Sequence, residues 1–177
     1  MAHTIVPFDK TFERKTFDCG VPALNRYLKE QANQDIRNHY TVMFVALEEQ
    51  TRKIIGFYTL SNAGVALDAI PAEMKAKLPK YPEVPAIRIG RLAVDKSVRR
   101  HKLGSELLGN AINKSMSNVT TGWAMMIVDA KNEQSAAFYK KFGFMEFYDD
   151  ILHLFIMRRT LEDFLTSPVL DEASGET

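Results

Sequence analysis

The chain has 177 residues, 46% hydrophobic and 25% charged, a length and composition that suit one soluble globular domain with a sizeable core. Its one cysteine, Cys19, excludes an internal disulfide, and one cysteine with four histidines at no ligand spacing excludes a recognisable zinc site. The net charge of +1 divides into +6 over the first 159 residues and five acids without a base from Glu162 onward, which leaves both a solvated surface and a polyanion-binding one open.

In chain order, "MAHTIVPFD" opens with a short strand. It has no basic segment followed by a long apolar run, so no signal peptide is read there. No apolar run reaches membrane-spanning length, so no membrane partner is expected and the cytoplasm is the expected location. "FDCGVPALNRYLKEQANQDIRNH" reads as two helical segments, with Asp18 and Pro22 as start signals and Leu24, Tyr27, Leu28 and Gln31 at helical spacing. "TVMFVALE", the turn "EQTRK" and "IIGFYTLSNAGVAL" read as a β-hairpin. "IPAEMKAKLP" predicts a short helix, and "PAIRIGRLAVD" returns to a strand. "GSELLGNAINKSMSN" predicts a helix with Leu103, Leu107, Leu108, Ala111, Ile112 and Met116 on one face. "GWAMMIVDA" is a buried strand, and "NEQSAAFYKKFGF" a helix ending at Gly143. "FMEFYDD" and "ILHLFIMRR" are two last strands joined by a two-acid turn.

The order predicts a mixed α/β fold. The helix between "PAIRIGRLAVD" and "GWAMMIVDA" is a crossover, and a right-handed crossover makes those strands parallel neighbours. One domain is expected over residues 1–166. The acidic tail over 167–177 shows no periodicity and is expected to be disordered.

One segment stands out. "RLAVDKSVRRHKLGSELL" passes from a strand through a basic turn into a helix, with Lys96, Arg99, Arg100 and Lys102 in seven residues. The first amides of a helix lack intrahelical acceptors, and the helix dipole favours an anion there. Gly104 allows close backbone approach. A pyrophosphate is the natural ligand for such a turn, although a basic turn ahead of a helix also occurs without one. Neither G-x-G-x-x-G nor a Walker motif is present.

This segment resembles the phosphate-binding motif of the GNAT acetyltransferases, in which Arg or Gln is followed by two variable residues, Gly, one variable residue, and Gly or Ala. Arg99 and Gly104 fit it, and Lys102 stands where the first glycine is expected. "VDAKNEQSAAFYKKFGF" resembles the family's next motif. Together with "FDCGVPALNRYLKEQANQ", "GFYTLS" and "LPKYPEVPAIRIGRLAVD", in this order, it is similar to the GNAT toxins of toxin–antitoxin pairs.

The resemblance implies a single GNAT fold, a central mixed sheet flanked by helices, with acetyl-CoA as co-substrate and no metal. It implies that Arg99, Arg100, His101, Lys102, Leu103, Gly104 and Ser105 hold the pyrophosphate, that Leu92, Ala93 and Val94 offer backbone groups to the acetyl and pantetheine arms, and that Asn132 contacts the pantetheine. It makes Tyr139 the general acid for the departing thiolate, where pattern alone reads an aromatic beside Phe138 and Phe142 as core. Asn132 reads equally as a helix N-cap. The lysine at 102 either adds a charge-assisted phosphate contact or strains the turn. The acceptor implied is the α-amine of charged tRNA, with translation inhibited, a ribbon-helix-helix antitoxin as partner, and a homodimer as the assembly. Arg88, Arg91 and the turn's cations would serve coenzyme A or RNA phosphates. No histidine reads as a base: His39 and His153 read as surface or packing residues, and His101 belongs to the turn. Two alternatives stand beside this reading, a GNAT N-acetyltransferase for a small amine or peptide N-terminus, and a degenerate, non-catalytic GNAT module.

Overall fold

The computed structural model describes residues 2–118, 120–148 and 150–166; the predicted tail at 167–177 and the turn residue Asp149 lie outside the described residues. Seven strands form one mixed sheet in the hydrogen-bonded order β1-β2-β3-β4-β5-β7-β6. The chain forms two compact units, Met1–Ser61 with Ile89–Thr120, and Asn62–Arg88 with Thr121–Thr177. The long strands β3 (Ile54–Ala66) and β4 (Glu83–Val94) contribute to both.

In the first unit, β1 (His3–Pro7) pairs antiparallel with β2 (Val42–Glu48), and β2 with β3, so the predicted hairpin forms. The helical stretch after Pro22 comprises α1 (Pro22–Arg26), a π-helical turn (Tyr27–Gln31) and α2 (Ala32–Arg37). Its Leu24, Tyr27, Leu28 and Ala32 pack with Met43, Val45, Phe57 and Ala93 in one core. The phenol of Tyr27 is pushed up to about 12, chiefly by burial, although the Arg91 guanidinium works the other way. Helix α4 (Leu103–Met116) buries Leu103, Leu107, Leu108 and Ala111 as predicted, and also Ser115, whose hydroxyl donates to the Ala111 carbonyl at 2.8 Å. Gly56 permits this packing: a Cβ there would meet Leu107 Cδ1 at 2.9 Å.

In the second unit, β5 (Met125–Asp129) pairs antiparallel with β7 (Asp150–Met157), which pairs with β6 (Met145–Phe147). Val84, Ala86, Met125, Ile127, Phe147 and Phe155 form the core of one face, with residues around the short helix α3 (Ala72–Lys75) packed on it. Helix α5 (Glu133–Lys140) is followed by a turn through Gly143, whose φ of +94° suits glycine. One element departs from the sequence reading: Arg158–Thr166 forms a further helix, α6, stabilised by an Arg158–Glu162 pair at 3.1 Å and by burial of Leu161. Leu161, Phe164 and Leu165 stand at i, i+3 and i+4, a helical spacing that the sequence reading did not use.

Candidate functional site

The basic turn belongs to the first unit and is built by Asp95. This residue follows β4, and its Oδ1 accepts from the Ser97 N–H at 2.9 Å and the Ser97 hydroxyl at 2.7 Å, starting a 3₁₀ segment, Lys96–His101. Its Oδ2 accepts from the Asp18 N–H at 2.9 Å. Burial alone would raise the Asp95 carboxyl, but these bonds outweigh it and hold the group below the usual aspartate range. Val98, 2% exposed, anchors the segment in the core.

The loop Phe17–Gly20 braces the turn from the other side. Asp18 pairs with Lys96 Nζ at 3.0 Å, and the Arg99 guanidinium donates to the Cys19 carbonyl. The Gly20 N–H, then Lys96 and Asn25, hold the Asp18 carboxyl well below the usual carboxylate range. Gly20 has φ +83°, and a Cβ there would stand 3.0 Å from both Arg99 Nη2 and Lys96 Cε. Two of the four cations are thus committed to the brace. Arg100, His101 and Lys102 are exposed.

Lys102 is the junction between the turn and α4. Its φ of +55° and ψ of 18° are left-handed, and it is the N-cap of α4 with no side-chain cap bond. The backbone here has the conformation that a glycine adopts most readily. The Lys102 carbonyl accepts from Ser105 and Glu106 N–H at 3.1 and 3.2 Å, which starts the helix. The amides of Leu103 and Gly104 lie in the first helical turn, where the fold supplies no intrahelical acceptor. They open a helix of fourteen residues. Leu103 and its neighbours fix the turn by burial, and the arrangement can hold an anionic oxygen on backbone N–H groups. Leu92 and Val94 are partly exposed and Ala93 is 5% exposed at the end of β4. Arg91, read as a candidate for coenzyme or RNA, has its guanidinium over the Tyr27 ring, 3.5 Å from the centroid.

The second unit carries the remaining candidates. Asn132 is the N-cap of α5: its Oδ1 accepts from the Ser135 N–H at 2.8 Å, so the cap reading describes what that oxygen does. Tyr139, 6% exposed, stands edge-on to Phe138 and Phe144 at 5.1 and 5.5 Å between centroids. Burial raises its phenol above the ordinary tyrosine value.

Sequence reasoning missed the Asp18–Gly20 brace, whose partners lie about eighty positions away and leave no local signal. It also missed the pairing of His153 with Asp129, at 3.4 Å across β5 and β7. Among the described residues, no group of three or more His, Cys, Asp or Glu is placed to hold a metal, and no helix is long and apolar enough to cross a membrane.

A strand running through a left-handed turn into a long helix with open first amides is a scaffold that can hold an anionic group. Residues 8–144 match the acetyltransferase (GNAT) family, and the chain belongs to that family of enzymes. Among characterised relatives, the tRNA-acetylating toxin of Mycobacterium tuberculosis is 31% identical over 148 residues, 81% of this chain and 85% of that one. AtaT complexed with acetyl-methionyl-tRNAfMet matches with a TM-score of 0.85 at 27% identity, covering 93% of this chain and 100% of that one. A mutant AtaT toxin bound to the C-terminus of the antitoxin AtaR and to acetyl-CoA matches with a TM-score of 0.77 at 25% identity, covering 93% and 99%.

Proposed function

We propose that this chain transfers the acetyl group of acetyl-CoA to the α-amine of aminoacyl-tRNA and so acts as a translation-inhibiting toxin. The observation that carries the reading is the turn at Lys102: the chain departs from the family pattern by a lysine, yet keeps the left-handed backbone that leaves the Leu103 and Gly104 amides open. The turn therefore fits a pyrophosphate, and this supports a working enzyme over a degenerate module. The likeness to a tRNA-acetylating toxin and to AtaT with acetyl-methionyl-tRNAfMet supports charged tRNA as the acceptor.

Acetyl-CoA, when bound, supplies a thioester acetyl group open to attack by an amine. In this reading the open amides of Leu103 and Gly104 bind the pyrophosphate beside the Ser105 side chain, with the exposed Arg100, His101 and Lys102 adding positive charge. Backbone groups of Leu92, Ala93 and Val94 orient the acetyl and pantetheine arms, and Asn132 adds a contact to the pantetheine. Tyr139 holds its proton at neutral pH and gives it to the leaving sulfur. An aminoacyl ester has an amine less basic than that of lysine, so part of it is neutral without a dedicated base. Arg99 acts through the brace, since its guanidinium is on the Cys19 carbonyl.

A ribbon-helix-helix antitoxin is the proposed partner, in line with the AtaT–AtaR likeness, and a cytoplasmic homodimer the proposed state. The deciding experiment incubates the purified chain with labelled acetyl-CoA and total charged tRNA. Label on the α-amine of charged tRNA is the expected result. Label on peptides or small amines alone replaces the acceptor.

A further inference from the structure

The apolar face of the second unit ends in three ionisable side chains that the reaction scheme above does not use. Val84, Ala86, Met125, Ile127 and Phe155 belong to one buried cluster, with Met157 packed against it. Strand alternation therefore assigns Arg88 of β4, Asp129 of β5 and His153 of β7 to this same face. These three strands are neighbours in the sheet.

Asp129 and His153 stand directly opposite each other in the β5–β7 register, with His153 Nδ1 3.4 Å from Asp129 Oδ1. The imidazole lies edge-on to Phe147 at 4.2 Å, which fixes its plane and directs Nδ1 to the carboxylate. The Asp129 side chain remains 61% exposed. On the same sheet face, two buried nitrogens have no hydrogen-bond partner among the described residues, Arg88 Nε and His153 Nε2. Buried polar groups are seldom left unpaired without a function or a bound partner to explain them.

The position adds meaning. Asp129 closes β5 three residues before Asn132, which caps the helix carrying Tyr139. Chain length alone keeps the two Cα atoms within about 11 Å. An oriented, exposed carboxylate at this strand end suits a cationic amine.

We propose that Asp129 binds the α-amine of the acceptor, that His153 positions its carboxylate, and that Arg88 offers a donor to an oxygen of the same acceptor. The ligand class is a primary α-amine carried on an acyl ester. Asp129 recognises the ammonium form, and a neutral amine still donates an N–H to the same oxygen once its proton has gone to solvent. The contact thus survives up to the attack. This rests on the acetyl-transfer reading, but not on charged tRNA being the acceptor.

The test uses the full chain with two acceptors, charged tRNA and an amino-acid methyl ester. Asp129→Asn keeps the size and removes the charge. It is expected to raise the acceptor KM about tenfold or more, with kcat and the acetyl-CoA Kd unchanged. His153→Phe should raise the acceptor KM less, and His153→Gln, which keeps a donor for Asp129, should restore most of it. An unchanged acceptor KM in Asp129→Asn, or a weakened acetyl-CoA affinity, overturns the assignment. A parent chain that acetylates the ester but not charged tRNA, with the ester KM raised in Asp129→Asn, sustains the assignment and removes only the tRNA reading. A parent that acetylates neither overturns both.

Discussion

Replacing Lys102 by glycine tests the most unusual feature of the turn. A non-glycine residue in the left-handed region costs about 1–2 kcal/mol, and Lys102 has φ +55° there. Lysine is also a poor N-cap and puts a positive charge at the positive end of α4, an opposing effect of about 0.3–1 kcal/mol. Glycine removes both terms, but the unfolded chain gains freedom worth about 0.5–1 kcal/mol. The balance is a gain of about 1 kcal/mol. For a chain of this length that raises Tm by about 2–4 °C, measurable by circular dichroism. The effect on the cofactor should go the other way. The backbone amides stay in place while an exposed ammonium is lost, so acetyl-CoA should bind roughly twofold to fivefold more weakly at low salt, with the difference fading as salt rises. Calorimetry at two ionic strengths reads this. A Tm that stays level or falls refutes the strain argument, and affinity that rises refutes the charge argument.

Tyr139→Phe should fold normally, because the ring keeps its edge contacts with Phe138 and Phe144, and should bind acetyl-CoA as before. Its turnover should fall by about 10²–10⁴ in a labelled-acetyl assay, and parental turnover would remove the general-acid role. Gly20→Ala should lower Tm by roughly 2–6 °C and weaken acetyl-CoA binding, since the new methyl group meets Arg99 and Lys96 at a positive φ; an unchanged variant would show that the brace does not shape the turn. Asp18 and Asp95 are both held below the ordinary aspartate value of about 3.9. Their stabilisation is therefore complete above that value and lost as pH falls through the lowered ones. Asp95→Asn should flatten the acid side of the stability curve between about pH 5 and pH 2 relative to the parent, and parallel curves would mean that Asp95 contributes nothing through its charge.

The sequence by itself determined the order of elements and the nature of the turn. Periodicity and composition act between neighbours, so the hairpin of β2 and β3, the apolar face of α4 with Leu103, Leu107, Leu108 and Ala111, and the stop at Gly143 were all legible. So was the strand, basic turn and helix start from Arg91 to Ser105, because a strand-to-helix junction is a local construction. Other features depended on residues far apart in the chain, and only the tertiary structure decided them. It settled the backbone at Lys102, which the identity of the residue argued against and which burial of Val98 and Leu103 on either side holds in place. It turned Lys96 and Arg99 from free cations into braces on the Asp18–Gly20 loop. It set His153 opposite Asp129, a pairing fixed by strand register rather than by anything in the letters around either residue. Charge and periodicity are local properties that a chain carries with it, whereas a hydrogen-bond partner is chosen by the fold, which brings distant segments within 3 Å of each other.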